Sequence, residues 1–150
     1  MTLPTTSYLP EGLPIPVADA DGLSRPYWEG LKAGKILIQR CNGCRTWQWG
    51  PEWICHRCHG ADMGWEEVTG EGRIYSWERA WHPVHPALKG IGPYVVVLVE
   101  LAQAGGIRMI GNLLGDPRQP VAIGSEVVAE FEHHAAAQPA FTLLQWRVRK

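Results

Sequence analysis

Four cysteines, the only ones in the chain, form two close pairs: Cys41 with Cys44 and Cys55 with Cys58. Ten residues separate the two pairs. This is the spacing of a zinc ribbon, in which each C-x-x-C turn supplies two thiolates to one tetrahedral ion. Because four thiolates complete the coordination sphere and leave no position for water, the pattern predicts one structural Zn²⁺ rather than a catalytic metal.

Other uses of these cysteines fit the sequence less well. The residues after Met1 lack the charged and then apolar segments of an export signal, which argues against disulfides and predicts a cytoplasmic protein. A redox C-x-x-C motif normally occurs as a single pair near a βαβ pattern. Iron also binds two such pairs, although Arg45 and His56 stand where rubredoxin-type turns usually carry Gly and Pro. Iron instead of zinc, and His56 or His59 as a replacement ligand, remain open.

Composition limits the classes of function. The 150 residues, 45% of them hydrophobic, suit one globular domain or a small metal module with a compact second one. With 14 basic and 15 acidic residues the net charge is −1, so the chain lacks the positive footprint of a nucleic-acid-binding protein. Because no apolar run reaches about 18 residues, no membrane span is predicted.

The pattern along the chain predicts four parts. Residues 1–20 form an extended Pro-rich arm, whose apolar side chains favour a strap ordered by a partner over a floppy terminus. Residues 21–40 contain a helix and a lead-in strand, with Ser24 as N-cap, Pro26 in the first turn and Gly34 as C-terminal cap. Residues 41–66 form the zinc ribbon and residues 67–150 the last part, which is all-β.

Five candidate strands follow the ribbon, separated by Gly- and Pro-containing turns: 73–81, 94–101, 107–114, 126–133 and 141–148. Five strands with one longer connection is the strand count of the OB-fold, a small closed Greek-key barrel. An open sheet is the alternative, but it would leave its edges unprotected. The predicted fold is therefore mainly β, with an N-terminal helical segment, a rubredoxin-like zinc ribbon and a five-stranded OB-fold barrel.

The order of motifs resembles a known family. The motifs are residues 25–41, the two cysteine turns, and then residues 70–76, 93–101, 111–113 and 123–127. Over about residues 21–147 they resemble the zinc-ribbon plus OB-fold proteins long described as a domain of unknown function and associated with acyl-CoA metabolism. Arg45 departs from that pattern, since the family's first turn often has Gly there. The Pro-rich arm has no counterpart in the pattern.

The resemblance implies a non-catalytic accessory subunit. Members of this family bind and stabilise thiolase-superfamily partners, thiolases or retro-aldolases of lipid and steroid degradation, and others partner CoA-ester hydratases. In such hetero-oligomers the OB-fold can help to hold a CoA ester, while the partner supplies the catalytic residues. The resemblance does not specify the partner, the acyl group or the stoichiometry.

The residues themselves offer no catalytic set. Neither a Gly-x-Ser-x-Gly elbow nor a spare cysteine is present, and no orienting partner can be identified for His82, His85, His133 or His134. A CoA ester would need cations for its phosphates and aromatic side chains for its base, and the candidates are Trp77, Arg79, Trp81, Tyr94 and Arg108. The candidates for a partner interface are aromatic: Tyr27, Trp28, Trp47, Trp49 and Trp53.

An OB-fold that binds single-stranded nucleic acid is the alternative function. Such a fold needs a basic groove with exposed aromatic side chains. The chain has the aromatic side chains but no stripe of Lys and Arg along its strands, so nucleic acid is the less favoured partner.

Overall fold

A short helix is followed by two antiparallel sheets in the computed structural model, which describes residues 7–150. The first sheet has three strands and contains the cysteine turns, and the second has five strands. This mainly β architecture confirms the predicted fold class. The first six residues of the predicted arm lie outside the described part of the chain.

The helix α1 spans Arg25–Lys32 and has Pro26 in its first turn, as predicted. Gly34 takes the left-handed conformation, with φ +72°, just after the helix, and its N–H donates to the carbonyl of Leu31. Ser24 occupies the N-cap position, but its side chain makes no capping hydrogen bond. Its φ of −91° and ψ of 0° differ from the extended backbone from which N-cap side chains reach the first turn.

The ribbon sheet is centred on β1, Ile36–Cys41, which lies between β2, Trp47–Gln48, and β3, Met63–Val68. The third strand was not among the predicted ones. It pairs with β1 along its whole length, from Ile36 opposite Val68 to Cys41 opposite Met63. Val68 packs with Ile36 and Ile38 in the buried core, so β3 connects the metal module to the rest of the protein.

Five strands form the second sheet: β4, Glu71–Ala80; β5, Tyr94–Leu101; β6, Ile107–Asn112; β7, Glu126–His134; and β8, Phe141–Val148. Their order is β6-β5-β4-β7-β8. All five were predicted, and their ends differ by no more than two residues from the expected ones. Alternate residues of β5 are fully buried, because one face of the strand lines the barrel and the other faces outward.

The five-stranded sheet curls into a nearly closed barrel where β6 meets β8. The N–H of Leu114 donates to the carbonyl of Trp146 at 2.7 Å, and the N–H of Asn112 donates to Oε1 of Gln145 at 2.7 Å. Gly111 lets the two strands approach, since a Cβ placed there would lie 2.7 Å from the carbonyl oxygen of Leu144. This closure is the arrangement expected of the predicted OB-fold.

One core runs through both sheets. Leu31 of the helix, Ile36 and Ile38 of the ribbon, and Val97 and Trp146 of the barrel belong to the same buried cluster. The ribbon and the barrel therefore stabilise each other through shared apolar contacts. Within residues 7–150, no helix has the length and apolar character needed to cross a membrane.

The described part of the arm lies against the barrel of its own chain. The N–H of Tyr8 donates to the buried carboxylate of Glu132, and Gly12 lies beside Ala87. Residues 16–20 line a small cleft with Trp28 and Phe141. The predicted ordering of this arm by a partner stays a prediction. The contacts with the barrel show that residues 7–20 find an apolar and polar binding surface within the chain itself.

Candidate metal centre

The fold brings the four cysteine sulfurs into one cluster, with all Sγ atoms within 4.8 Å of one another. The Sγ atoms of Cys41 and Cys58 lie 3.6 Å apart, as do those of Cys44 and Cys55. These distances are too long for disulfides. They agree with a tetrahedron of thiolates around Zn²⁺, in which bonds of about 2.3 Å place the sulfurs about 3.8 Å apart.

Both cysteine turns are built by the same hydrogen bonds. In the first, the N–H of Cys41 donates to the carbonyl of Thr46, and the N–H of Arg45 donates to the carbonyl of Cys41. In the second, Cys55 N–H donates to Gly60 and His59 N–H to Cys55 in the same way. The two turns thus present their paired sulfurs by one local geometry, which the C-x-x-C spacing encodes.

The residue after each pair takes the left-handed conformation. Arg45 has φ +61° and His59 has φ +60°. Glycine adopts this conformation without strain, whereas other residues pay for the proximity of Cβ to the backbone. Arg45 therefore follows the backbone of a glycine-containing turn, and its side chain does not displace any of the four sulfurs.

We expect Arg45→Gly to unfold with a free energy about 1 kcal/mol higher than Arg45→Ala. Both variants lose the ion pair between Arg45 and Glu66, but only glycine relieves the left-handed strain. Urea unfolding of the zinc-loaded variants measures the difference. Equal stability of the two would contradict a strained turn at this position.

Basic side chains and hydrogen bonds surround the cluster. Arg40 and Arg45 both bind Glu66, and hydrogen bonds from these two guanidinium groups lower the pKa of its carboxyl. The Thr46 hydroxyl lies 3.2 Å from Cys44 Sγ and lowers the pKa of that thiol to about 6. A backbone hydrogen bond with Gly60 lowers the pKa of Cys58, but the sulfurs of Cys41 and Cys44 raise it, to a net value of about 11.

The raised pKa of Cys58 indicates that the cluster of thiolates needs a cation to be fully deprotonated at neutral pH. Four thiolates this close repel one another, so without a cation one thiol of the set keeps its proton at neutral pH. A divalent ion would remove that repulsion. Cys41, Cys44, Cys55 and Cys58 therefore fit a Zn²⁺ ion, which would supply cross-linking of the two turns and leave no open coordination position.

The two histidines near the cluster have other environments. Nδ1 of His56 lies 2.8 Å from Oε1 of Gln48, and His59 is exposed at the end of the second turn. Among residues 7–150, the only group of metal-ligating side chains with this geometry consists of the four cysteines. The structure gives neither histidine a position among the sulfurs.

The predicted ligand-binding residues do not converge on one site. Arg79 donates to the carbonyls of Pro117 and Gln119, while Arg108 binds Glu100 and covers the ring of Tyr75. The other three are aromatic: Trp77 is partly buried against the core, Trp81 is 58% exposed, and Tyr94 lines a cavity of about 810 Å³.

Four of the five predicted interface residues pack within the chain. Tyr27 and Trp49 have ring centroids 4.7 Å apart, Trp28 contacts Tyr27 edge to face, and Arg40 lies over Trp47. All four aromatic side chains are partly buried against the core, and burial raises the pKa of Tyr27 to about 12. Trp53 differs, because 59% of its surface is exposed.

Three of the four remaining histidines have structural contacts. Nδ1 of His85 accepts from the N–H of Ala87, His133 contacts Thr142, and His134 lies 3.1 Å from Glu132. His82 is exposed. Sequence reasoning missed Gln39 and Gln48, which lie buried beside the metal turns. The only sequence feature that could have indicated them is that each is a polar residue in an otherwise apolar stretch close to a cysteine motif.

Two family models match consecutive parts of the chain. The rubredoxin-like zinc ribbon domain of ChsH2 matches residues 28–64, and the C-terminal OB-fold domain of ChsH2 matches residues 65–132. A chain of the solved Ltp2-ChsH2(DUF35) aldolase is 34% identical, with a TM-score of 0.75 over 89% of this chain and 98% of that one. A DUF35 protein of Sulfolobus solfataricus shares the fold at 18% identity, with a TM-score of 0.58 over 85% of each chain.

Two curated proteins are also similar. One is a probable enoyl-CoA hydratase alpha subunit of Thermomonospora curvata, 36% identical over 144 residues, which are 95% of this chain. The other is the 3-oxo-4,17-pregnadiene-20-carboxyl-CoA hydratase alpha subunit of Mycobacterium tuberculosis, 31% identical over an alignment of 139 positions that covers 83% of this chain. The chain spans only 42% of the length of each of these relatives.

Proposed function

Because this chain belongs to the ChsH2 family of zinc-ribbon and OB-fold proteins, we propose that it is a cytoplasmic, non-catalytic subunit that binds and stabilises an enzyme acting on acyl-CoA thioesters. The partner is a thiolase-superfamily enzyme, a thiolase or retro-aldolase. The observation that carries the proposal is the match to a chain of the Ltp2-ChsH2(DUF35) aldolase along 98% of that chain.

The relatives named as hydratases support the accessory role. They are alpha subunits, a name given to parts of hetero-oligomers, and this chain matches 42% of each. The rest of each relative, outside the matched part, is available to carry their hydratase chemistry. What the chain shares with them, and with the aldolase, is the ribbon and the barrel, so a role common to these assemblies is to bind a partner.

The chemistry of the chain's own residues agrees with this role. Four cysteines close the coordination sphere of the proposed zinc, which leaves no position for substrate or water. His85, His133 and His134 are hydrogen-bonded in structural contacts. No cysteine within the described residues lies outside the metal cluster to act as a nucleophile.

The chain's contribution to holding a CoA ester is best assigned to aromatic side chains. The guanidinium groups of Arg79 and Arg108 are already bonded within the chain. Trp81 is largely exposed and has the guanidinium of Arg118 4.9 Å from its ring centroid. An aromatic surface with an adjacent cation suits a nucleotide base with its phosphates.

The outer face of β5 and β6 argues against nucleic acid as the ligand. OB-folds that bind oligonucleotides use this face. Here the register places Glu100 opposite Arg108, and the two form an ion pair at 3.0 Å. Leu98 opposite Ile110 makes the next pair apolar. A face whose cation is neutralised and whose centre is apolar does not attract a phosphate backbone.

The proposal is tested by capturing the partner. We expect the affinity-tagged chain, added to a native extract, to retain a CoA-ester enzyme near one-to-one. We also expect that purified enzyme to lose activity when this chain is removed and to recover it when the chain is added back. A captured enzyme that is equally active and equally stable without the chain would refute the accessory role. Bound single-stranded nucleic acid, released by salt, would favour the alternative.

A further inference from the structure

The loop between the two cysteine turns exposes two large apolar side chains. Trp53 is 59% exposed and Ile54 is 53% exposed, and they are neighbours in the chain. We call these two residues the ribbon tip. Single exposed apolar residues are common in soluble proteins. The ribbon tip differs from these because the side-chain amides of two buried glutamines form hydrogen bonds with the backbone around it.

Two buried glutamines fix the backbone on both sides of the ribbon tip. Gln39 donates from Nε2 to the carbonyl of Glu52 at 2.8 Å and accepts from the N–H of Glu52 at 2.9 Å. Gln48 donates from Nε2 to the carbonyl of Ile54 at 3.1 Å and accepts from the N–H of His56 at 2.8 Å. Gln39 and Gln48 are 2% and 4% exposed. Both side-chain amides therefore donate to and accept from the backbone of this loop, and Nε2 of Gln48 also lies 3.5 Å from Oε1 of Gln39.

This arrangement lowers the cost of binding through the ribbon tip. Burying an amide is unfavourable unless its hydrogen bonds are made, and here they are made to the backbone of Glu52, Ile54 and His56. A loop ordered in advance loses little conformational entropy when a partner binds it. An exposed Trp on a rigid loop is thus suited to be an anchor residue of an interface.

A cationic cleft is lined by residues close to the ribbon tip in the chain. Trp49, four residues before Trp53, and His56, two residues after Ile54, line a cleft of about 430 Å³ together with Arg45 and Arg57. No carboxylate lines it. Arg45 is paired with Glu66, whereas Arg57 has no carboxylate partner among the residues described here. The cleft is therefore complementary to an acidic side chain, and the ribbon tip close to it in the chain is complementary to an apolar pocket.

We propose that the ribbon tip and this cleft are where the partner enzyme binds. The partner offers an apolar pocket to Trp53 and Ile54 and an acidic side chain to Arg57, while Gln39 and Gln48 are positioning residues. This inference rests on the proposed function. Because Gln48 also holds the N–H next to Cys55, the metal centre and the docking surface form one rigid unit.

A second copy of this chain fits the ribbon tip and the cleft less well than a partner enzyme does. A cavity of about 810 Å³ on the barrel is lined mostly by apolar residues, with Glu130, Glu132 and Arg147 among its polar ones. Both carboxylates are already bonded, Glu130 to Arg147 and Glu132 to His134 and to the arm. That cavity therefore offers no unpaired carboxylate to Arg57 of a second copy.

The test compares the double variant Trp53→Ala/Ile54→Ala with Val84→Ala/Ile123→Ala. The control removes side chains that are 76% and 70% exposed elsewhere on the chain. Each tagged protein, loaded with zinc, is added to the native extract, and the affinity for the captured CoA-ester enzyme is then measured. We expect the tip variant to bind at least about 30-fold more weakly than the wild-type chain, and the control to change less than about threefold.

Two further variants test the cleft and the positioning residues. Arg57→Glu should weaken binding and reduce its dependence on salt, because a charge pair with the partner is lost. Gln39→Met keeps the ribbon tip but releases Glu52, so its amide should exchange faster and binding should weaken at unchanged zinc content. A purely structural role for Gln39 would change stability without changing the affinity of the folded protein.

Each outcome has a distinct meaning. If the enzyme binds wild-type chain and tip variant equally, the docking surface is wrong while the accessory role stands. If the wild-type chain self-associates through Trp53 and the tip variant does not, a second copy is the occupant and the inference fails. If no CoA-ester enzyme binds the wild-type chain, the proposed function fails, and the docking surface fails with it.

Discussion

Cys55→Ser is expected to abolish stoichiometric zinc binding and to unfold the ribbon. The Cys55 sulfur is fully buried and lies 3.6 Å from that of Cys44, so its loss breaks the link between the two turns. Structural zinc contributes on the order of 10 kcal/mol to the folding of small metal modules. Because Ile36, Ile38 and Val68 of the ribbon sheet belong to the common core, the barrel should lose stability as well.

Metal content and amide exchange measure this effect. The wild-type chain should contain one equivalent of zinc, and Cys55→Ser less than about one tenth, with fast exchange at residues 41–60. Thr46→Val is the matched control, because it removes the hydroxyl beside Cys44 and keeps all four sulfurs. Zinc retained at one equivalent by Cys55→Ser, or iron in place of zinc in the wild-type chain, would contradict the prediction.

Zinc uptake should also depend on pH in a defined direction. The neighbouring sulfurs of Cys41 and Cys44 outweigh the lowering effect of Gly60 and raise the pKa of Cys58 to about 11, so Cys58 keeps its proton at pH 7 in the metal-free cluster. Binding of zinc must displace that proton. In weakly buffered solution at pH 7, adding zinc should therefore release protons, and zinc affinity should fall as the pH is lowered.

Gly111→Ala is expected to reduce the free energy of unfolding by about 3 kcal/mol, at the upper end for overpacking by one methyl group. The new Cβ would lie 2.7 Å from the carbonyl oxygen of Leu144 and 2.8 Å from Cδ1 of Trp146. Neither neighbour can move easily, because one is backbone and the other is a fully buried ring. The contacts that close the barrel between β6 and β8 must therefore loosen.

Ile110→Ala is the control for this substitution. Ile110 precedes Gly111 in β6 and is 68% exposed, so its truncation should change stability by no more than about 0.5 kcal/mol. Both variants are compared with the wild-type chain by urea unfolding in the presence of zinc. A Gly111→Ala protein as stable as Ile110→Ala would show that β6 and β8 are not held at this distance.

The elements that were predicted correctly depend on short-range patterns. The helix begins at Arg25 beside Pro26 and closes with a left-handed Gly34, which are local conformational preferences. The strands of the barrel show apolar runs or alternation bounded by Gly and Pro turns. The strand Met63–Val68 was missed because only two of its residues, Met63 and Val68, are aliphatic, and it is defined by pairing with β1, more than twenty residues earlier in the chain.

The candidate site was likewise predictable from the sequence only where it depends on residues close together in the chain. The sequence by itself determined the four cysteines whose sulfurs the fold brings together, because the C-x-x-C spacing fixes the two sulfurs of each turn within a few residues. Only the tertiary structure decided which aromatic side chains are available to a partner. Packing partly buries Tyr27, Trp28, Trp47 and Trp49 against the chain's own core and leaves Trp53 largely exposed, and this difference depends on contacts between distant segments that composition does not record.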